Sequence, residues 1–122
     1  MKPLPTEHSE QVALVTWAKS MVWKWPELEW LYAVPNGGLR HPATAGKLKA
    51  EGVRPGVPDL VLPVPRGTFH GLYLEMKRPG GQSTEAQKRW GVYLTSVDYA
   101  YKLAFGFKDA QAFISEYLAI EP

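Results

Sequence analysis

The chain has 122 residues, a net charge of +2, 45% hydrophobic and 21% charged residues, and no cysteine. That length fits one small domain, 1–122, and the lack of thiols removes disulfides, thiolate metal sites and structural zinc fingers. No apolar run approaches the roughly 20 residues of a membrane span, and the N-terminus has no secretory h-region, so a cytoplasmic protein without a membrane partner is expected.

Thr6 is placed to cap a first helix over about 7–22, with Glu7 and Glu10 in its first turn. Val12, Val15, Ala18 and Val22 form its apolar stripe, and Leu14, Trp17 and Met21 widen it. Pro26 ends it. Trp30–Val34 is short and aromatic and reads as a strand, followed by a Pro35-Asn36-Gly37-Gly38 turn. A short helix is expected over 41–51, stopped by Gly52, and then a turn-rich loop to Pro58. Asp59–Val64 and Gly71–Lys77 read as antiparallel strands joined by a hairpin connection. Ser83 is expected to cap a helix to about Ser96, Tyr99–Phe105 to be a fourth strand, and Asp109 to cap a last helix. The order α-β-α-β-β-α-β-α describes an α/β sandwich with a small sheet flanked by helices.

The most informative residues are Asp59, Glu75 and Lys77. Side chains at i and i+2 of a strand share a face, so Glu75 and Lys77 lie together while Leu72, Leu74 and Met76 take the other side. If the two strands pair, Asp59 sits beside Glu75. Two carboxylates can hold a hard divalent cation, and a neighbouring ammonium can orient a water and stabilise charge on a phosphoryl group. The Met76 carbonyl could add a further oxygen. His8, His41 and His70 have no ligand spacing, so a metal here would be bound through oxygen, favouring magnesium or manganese. The same alternation of charge is also ordinary on a solvent-facing strand.

Basic residues flank this trio. In 40–54, Arg40, Lys47, Lys49 and Arg54 stand against only Glu51, and in 77–89, Lys77 itself with Arg78, Lys88 and Arg89 against only Glu85. The distribution suits a polyanionic substrate, although two solvated helix faces would look similar. Trp23, Trp25 and Trp30 cluster around one loop, more indole than a small core hides easily, which suggests a partner surface.

Pro58-Asp59 with Glu75-Met76-Lys77 resembles the PD-(D/E)xK nuclease superfamily. Five stretches narrow the resemblance to its VRR-NUC family: 7–11 (EHSEQ), 34–38 (VPNGG), 52–59 (GVRPGVPD), 74–77 (LEMK) and 83–87 (STEAQ). The likeness runs from about residue 7 to 118.

The resemblance implies a restriction-endonuclease-like core and an enzyme using magnesium or manganese. It makes Asp59 and Glu75 metal ligands and Lys77 the catalytic lysine. It also implies a first-helix glutamate four residues before a glutamine, which Glu7 and Gln11 satisfy. Glu10 is a rival, and either glutamate could instead serve the helix dipole. Gln87 would reach the site from the later helix, unless it is simply a solvent-facing glutamine.

Asn36, Arg40 and Arg54 are candidates for phosphate contacts, since arginine binds phosphate bidentately. His41 is a further candidate for touching DNA, or a surface histidine. Gly37, Gly38 and Gly56 would allow close backbone approach or serve ordinary turns. Small stand-alone members of this family resemble Holliday junction resolvases acting as homodimers on branched DNA, and suggest a phage or prophage origin. A flap- or nick-directed nuclease and an inactive nucleic-acid-binding module on the same fold are the competing readings.

Overall fold

The computed structural model describes residues 5–35 and 42–122. Helix α1 (Glu7–Ser20) starts in a capping box: Ser9 N donates to Thr6 Oγ1 and Thr6 N donates to Ser9 Oγ, both at 3.0 Å. Its stripe Glu7, Gln11, Leu14, Ala18 enters the core at Leu14 and Ala18 and ends in two polar side chains. The strand expected at 30–34 is shorter. Pro26, preset for a helical turn, begins a 3₁₀ helix at Pro26–Trp30, so Trp30 is helical and the paired strand β1 is confined to Tyr32–Ala33.

After α2 (Pro42–Ala50), β2 (Leu60–Leu62) and β3 (Leu72–Lys77) form an antiparallel pair. Helix α3 (Glu85–Ser96) is the crossover to β4 (Ala100–Phe105), which lies parallel to β3. The sheet order is β1-β2-β3-β4, a mixed sheet. Helix α4 (Phe107–Leu118) closes the fold. Leu60, Leu62, Leu72, Leu74 and Met76 are almost fully buried in the core with Leu14 of α1 and Ile114 of α4. Helices α1 and α4 pack on each other and on β3 and β4 respectively. The Tyr117 hydroxyl donates to Val64 O at 2.6 Å and ties α4 to the end of β2.

Two caps differ from the sequence expectation. Thr84, not Ser83, caps α3, because only Thr84 has a glutamine at the third following position. Gln87 N donates to Thr84 Oγ1 at 3.2 Å and Thr84 N donates to Gln87 Oε1 at 2.9 Å. Helix α4 starts two residues before Asp109. Its first N–H, at Phe107, donates to Glu10 Oε2 of α1 at 2.7 Å, and Asp109 instead accepts from Phe105 N at 2.9 Å. The helix end is therefore satisfied from another element, which local sequence does not reveal.

The 52–58 loop is pressed against α3. Trp90 Nε1 donates to Pro55 O at 3.2 Å. Gly56 has φ +82, and a Cβ there would lie 2.5 Å from the Ala86 backbone carbon. Gly52 has φ +100, but no atom of the described residues lies within 4 Å of a Cβ there. Gly56→Ala should therefore cost roughly 3 kcal/mol in urea unfolding, from left-handed strain plus overlap, and Gly52→Ala only about 1 kcal/mol. Equal losses would mean that the loop does not depend on its contact with α3.

Candidate active site

The β2–β3 ladder ends at the pair Leu60–Leu74, and the same register continued places Asp59 opposite Glu75. Past that point a side chain takes over from the backbone: Met76 N donates to Asp59 Oδ2 at 2.7 Å. Val34 N donates to Asp59 O at 2.8 Å, and Pro58 is fully buried. The Asp59 carboxylate is thus fixed by its own main chain and by β3.

Glu75 and Lys77 point away from the Leu72, Leu74, Met76 side, yet this is no solvent-facing strand. Glu75 is 2% exposed and Lys77 is 7% exposed. Burial, then the adjoining Asp59 carboxyl, push Glu75 up to about 9, with Glu7 adding to the rise and Lys77 opposing it. Protonated, Glu75 can donate to Asp59. Ionised, neither carboxylate can donate, and Glu75 Oε1 is buried without a hydrogen-bond partner among the described residues.

A half-buried Asp59 carboxylate beside a buried Glu75 with an orphaned acceptor oxygen fits a divalent cation of the magnesium or manganese kind. Among the described residues no three acidic or histidine side chains are grouped closely enough to enclose a cation. Asp59 and Glu75 would therefore share it with carbonyl, water or substrate oxygens, as magnesium commonly requires. Lys77 forms no ion pair with a described residue.

The remaining candidates are placed as follows. Glu7 is exposed in the first turn of α1, and its charge reaches Glu75. Glu10, its rival, is occupied at Phe107 N. Gln11 is half-buried one turn further along the Glu7 stripe and makes no hydrogen bond to Asp59 or Glu75. Met76 lies between Glu75 and Lys77, with its N–H on Asp59. Gln87 uses its amide oxygen in the α3 cap. Arg54 is exposed over the Trp90 ring, 5.6 Å from its centroid. Asn36, Arg40, His41, Gly37 and Gly38 lie outside the described residues. Gly56 makes its close approach to α3. Sequence reasoning missed Tyr101, which shares the face of Glu75 and whose phenol is pushed up by burial and then by the charges of Glu75 and Asp59. Its only signal was its place in the Tyr99–Phe105 strand.

A mixed sheet between helices, with Asp, Glu and Lys gathered where its central antiparallel pair ends, is the arrangement of a PD-(D/E)xK-type nuclease on the restriction-endonuclease-like fold. The chain belongs to the VRR-NUC domain family, whose model matches residues 6–107. A solved structure described as a VRR_NUC domain protein is similar with a TM-score of 0.82 and 28% identity, covering 98% of this chain and 95% of that one. No curated protein matches.

The raised Glu75 makes stability pH-dependent. Between the ordinary 4.5 and about 9, folded Glu75 keeps a proton that unfolded Glu75 has released. Stability in chelator should therefore fall as pH rises through this window, by up to ~1.4 kcal/mol per pH unit. Urea unfolding at several pH values should show this slope in the wild type and a flatter one in Glu75→Gln. At pH 8, added Mn²⁺ should raise the wild-type melting temperature and leave Glu75→Gln unmoved.

Proposed function

We propose that the protein is a Mg²⁺- or Mn²⁺-dependent, structure-specific DNA endonuclease that resolves four-way junctions as a homodimer. One observation carries the reading: Asp59 and Glu75 are set opposite one another on one sheet face beside Lys77, with a Glu75 oxygen that has no partner among the described residues. A bound cation would supply charge neutralisation at the scissile phosphoryl group. Asp59, held by Met76 N–H, offers a pre-aligned carboxylate, and Glu75 offers the second. The Met76 carbonyl and Glu7 add oxygens at the same end of the sheet. Lys77 orients the attacking water and donates to the developing negative charge.

Gln11 supports this arrangement from the next turn of α1. Asn36, Arg40 and Arg54 take phosphates of the DNA backbone, and the free NH₂ of Gln87 can donate to the same strand. A two-fold dimer would offer one site to each of two symmetric strands of a junction. Trp23 and Trp30, 78% and 63% exposed, support an additional buried surface of this kind. No described helix is long and apolar enough to cross a membrane. The protein acts in the cytoplasm and is of phage or prophage origin.

Four-way junction, flap and linear duplex DNA should be incubated with Mg²⁺, Mn²⁺ or EDTA. The junction should be cut symmetrically with either metal and not in EDTA. Lys77→Ala should lower the cleavage rate at least ~100-fold while still binding the junction in EDTA. Absence of cleavage of every substrate under every metal would sink the enzyme reading. Gel filtration should give about twice the 13.7 kDa chain mass, and elution at the monomer position would remove the homodimer.

A further inference from the structure

We propose that the tyrosines on the acid-bearing face of the sheet form a stacking surface for unpaired nucleotides of the DNA strand that is cut, next to the cleaved phosphate. The proposal rests on the nuclease reading of Asp59 and Glu75 above and adds the part of the substrate that the sheet holds.

Strand register sets one row of side chains across all four strands. Tyr32 pairs with Val61, Val61 with Tyr73, and Tyr73 with Tyr101. Paired residues point to one face. Val61 lies two residues after Asp59 and Tyr73 two before Glu75, so this row stands on the face of the acid pair. It is one step along the strands from Asp59 and Glu75, roughly 6.6–6.8 Å. A further step away, the Tyr99 ring packs edge-on with Tyr73, their centroids 5.3 Å apart, and His70 packs edge-on with Tyr99 at 5.6 Å. The Tyr99 ring lies over Gly71, 3.6 Å from where a Cβ would be. Four of the chain's six tyrosines therefore gather beside the acid pair, enough aromatic surface for more than one base.

This side of the sheet is not closed off as a core. Leu60, Leu62, Leu72 and Leu74 on the other side are fully buried, whereas Tyr32 is 51% exposed and Tyr73, Tyr99 and Tyr101 are half-buried. What covers the tyrosines follows from their place and from charge. With Asp59 and Glu75 at the cleaved phosphate, the neighbouring nucleotides of that strand fall on the next rows. The strand residues of this face bring no acidic side chain besides the pair to repel phosphates, and Lys77 adds a positive charge. Aromatic rings take any base by its flat face. Bases within a duplex have those faces stacked on one another, so only unpaired nucleotides can use the tyrosines. Holding them there costs least where pairing is already interrupted, beside a branch point or in a tail.

Binding is measured by fluorescence anisotropy in EDTA, which separates it from cleavage. The probes are a duplex with a short 5′ or 3′ oligothymidine tail, and the same duplexes with abasic sites throughout the tail. Each pair has the same backbone charge, so the ratio of dissociation constants reports the bases alone. With one of the two polarities, the wild type should bind the thymidine tail at least about 10-fold more tightly than the abasic one. Tyr32→Leu combined with Tyr73→Leu should remove the difference. Tyr32→Phe combined with Tyr73→Phe should keep it, since stacking needs the ring and not the hydroxyl. Equal binding of base and abasic tails by the wild type, for both polarities, overturns the proposal without any variant having to fold. A difference that survives the leucine pair overturns it too, because the base contacts then lie elsewhere. If the wild type cuts no DNA yet tells the tails apart, the cleavage reading falls and the stacking surface stands. If it cuts junctions but binds both tails equally, the stacking surface falls and the cleavage reading stands.

Discussion

The hydrogen bond from Met76 N to Asp59 Oδ2 is the constraint on which the rest of the site depends. It occurs where β2 stops supplying main-chain partners, so the ladder is prolonged by a side chain. That substitution sets Asp59 opposite Glu75 and keeps both beside Lys77. The register cannot slip to relieve the crowding of carboxyls. A shift of one residue would turn Leu72, Leu74 and Met76 out of the core and drive Glu75 and Lys77 into it. The apolar face of β3 thus holds in place an acid pair that its own electrostatics would separate.

Helix α1 couples the core to this arrangement. Leu14 and Ala18 anchor it under β3, and one turn earlier Glu10 satisfies the first N–H of α4. The two helices covering the apolar face are therefore locked by packing and by a charge-assisted bond. With α1 held so, Glu7 is left at the edge of the site, near enough for its charge to reach Glu75. Glu7 and Glu10 have the same chemistry and differ in duty because they differ by three residues on one helix.

Much of this was legible in the sequence. Alternation in 71–77 separated Glu75 and Lys77 from the leucines, and the turn-rich stretch ending at Pro58 located the strand start. Burial of the polar face was not legible. It depends on α3 and the 52–58 loop lying over the sheet, through contacts such as Gly91 with Tyr101 and Gly56 with Ala86, which join residues far apart in the chain. The cap at Thr84 was hidden by an adjacent serine of equal local merit, and only the position of Gln87 separates them. Trp30 has strong strand propensity, but Pro26 commits the segment to a helical turn first.

The same long-range contacts bear on the charge pattern. In the sequence, Arg54 belongs to one basic stretch and Lys88 and Arg89 to another. The clamp formed by Trp90 with Pro55, and by Ala86 with Gly56, brings these stretches onto one side of the fold, with Arg54 stacked over Trp90. The loop so clamped runs directly into Pro58 and Asp59. Arg54 and the helix that carries Lys88 and Arg89 are thereby tied mechanically to the chain that enters β2 at Asp59. The net charge of +2 understates this local arrangement, because the field at short range follows the placement of charges more than their total.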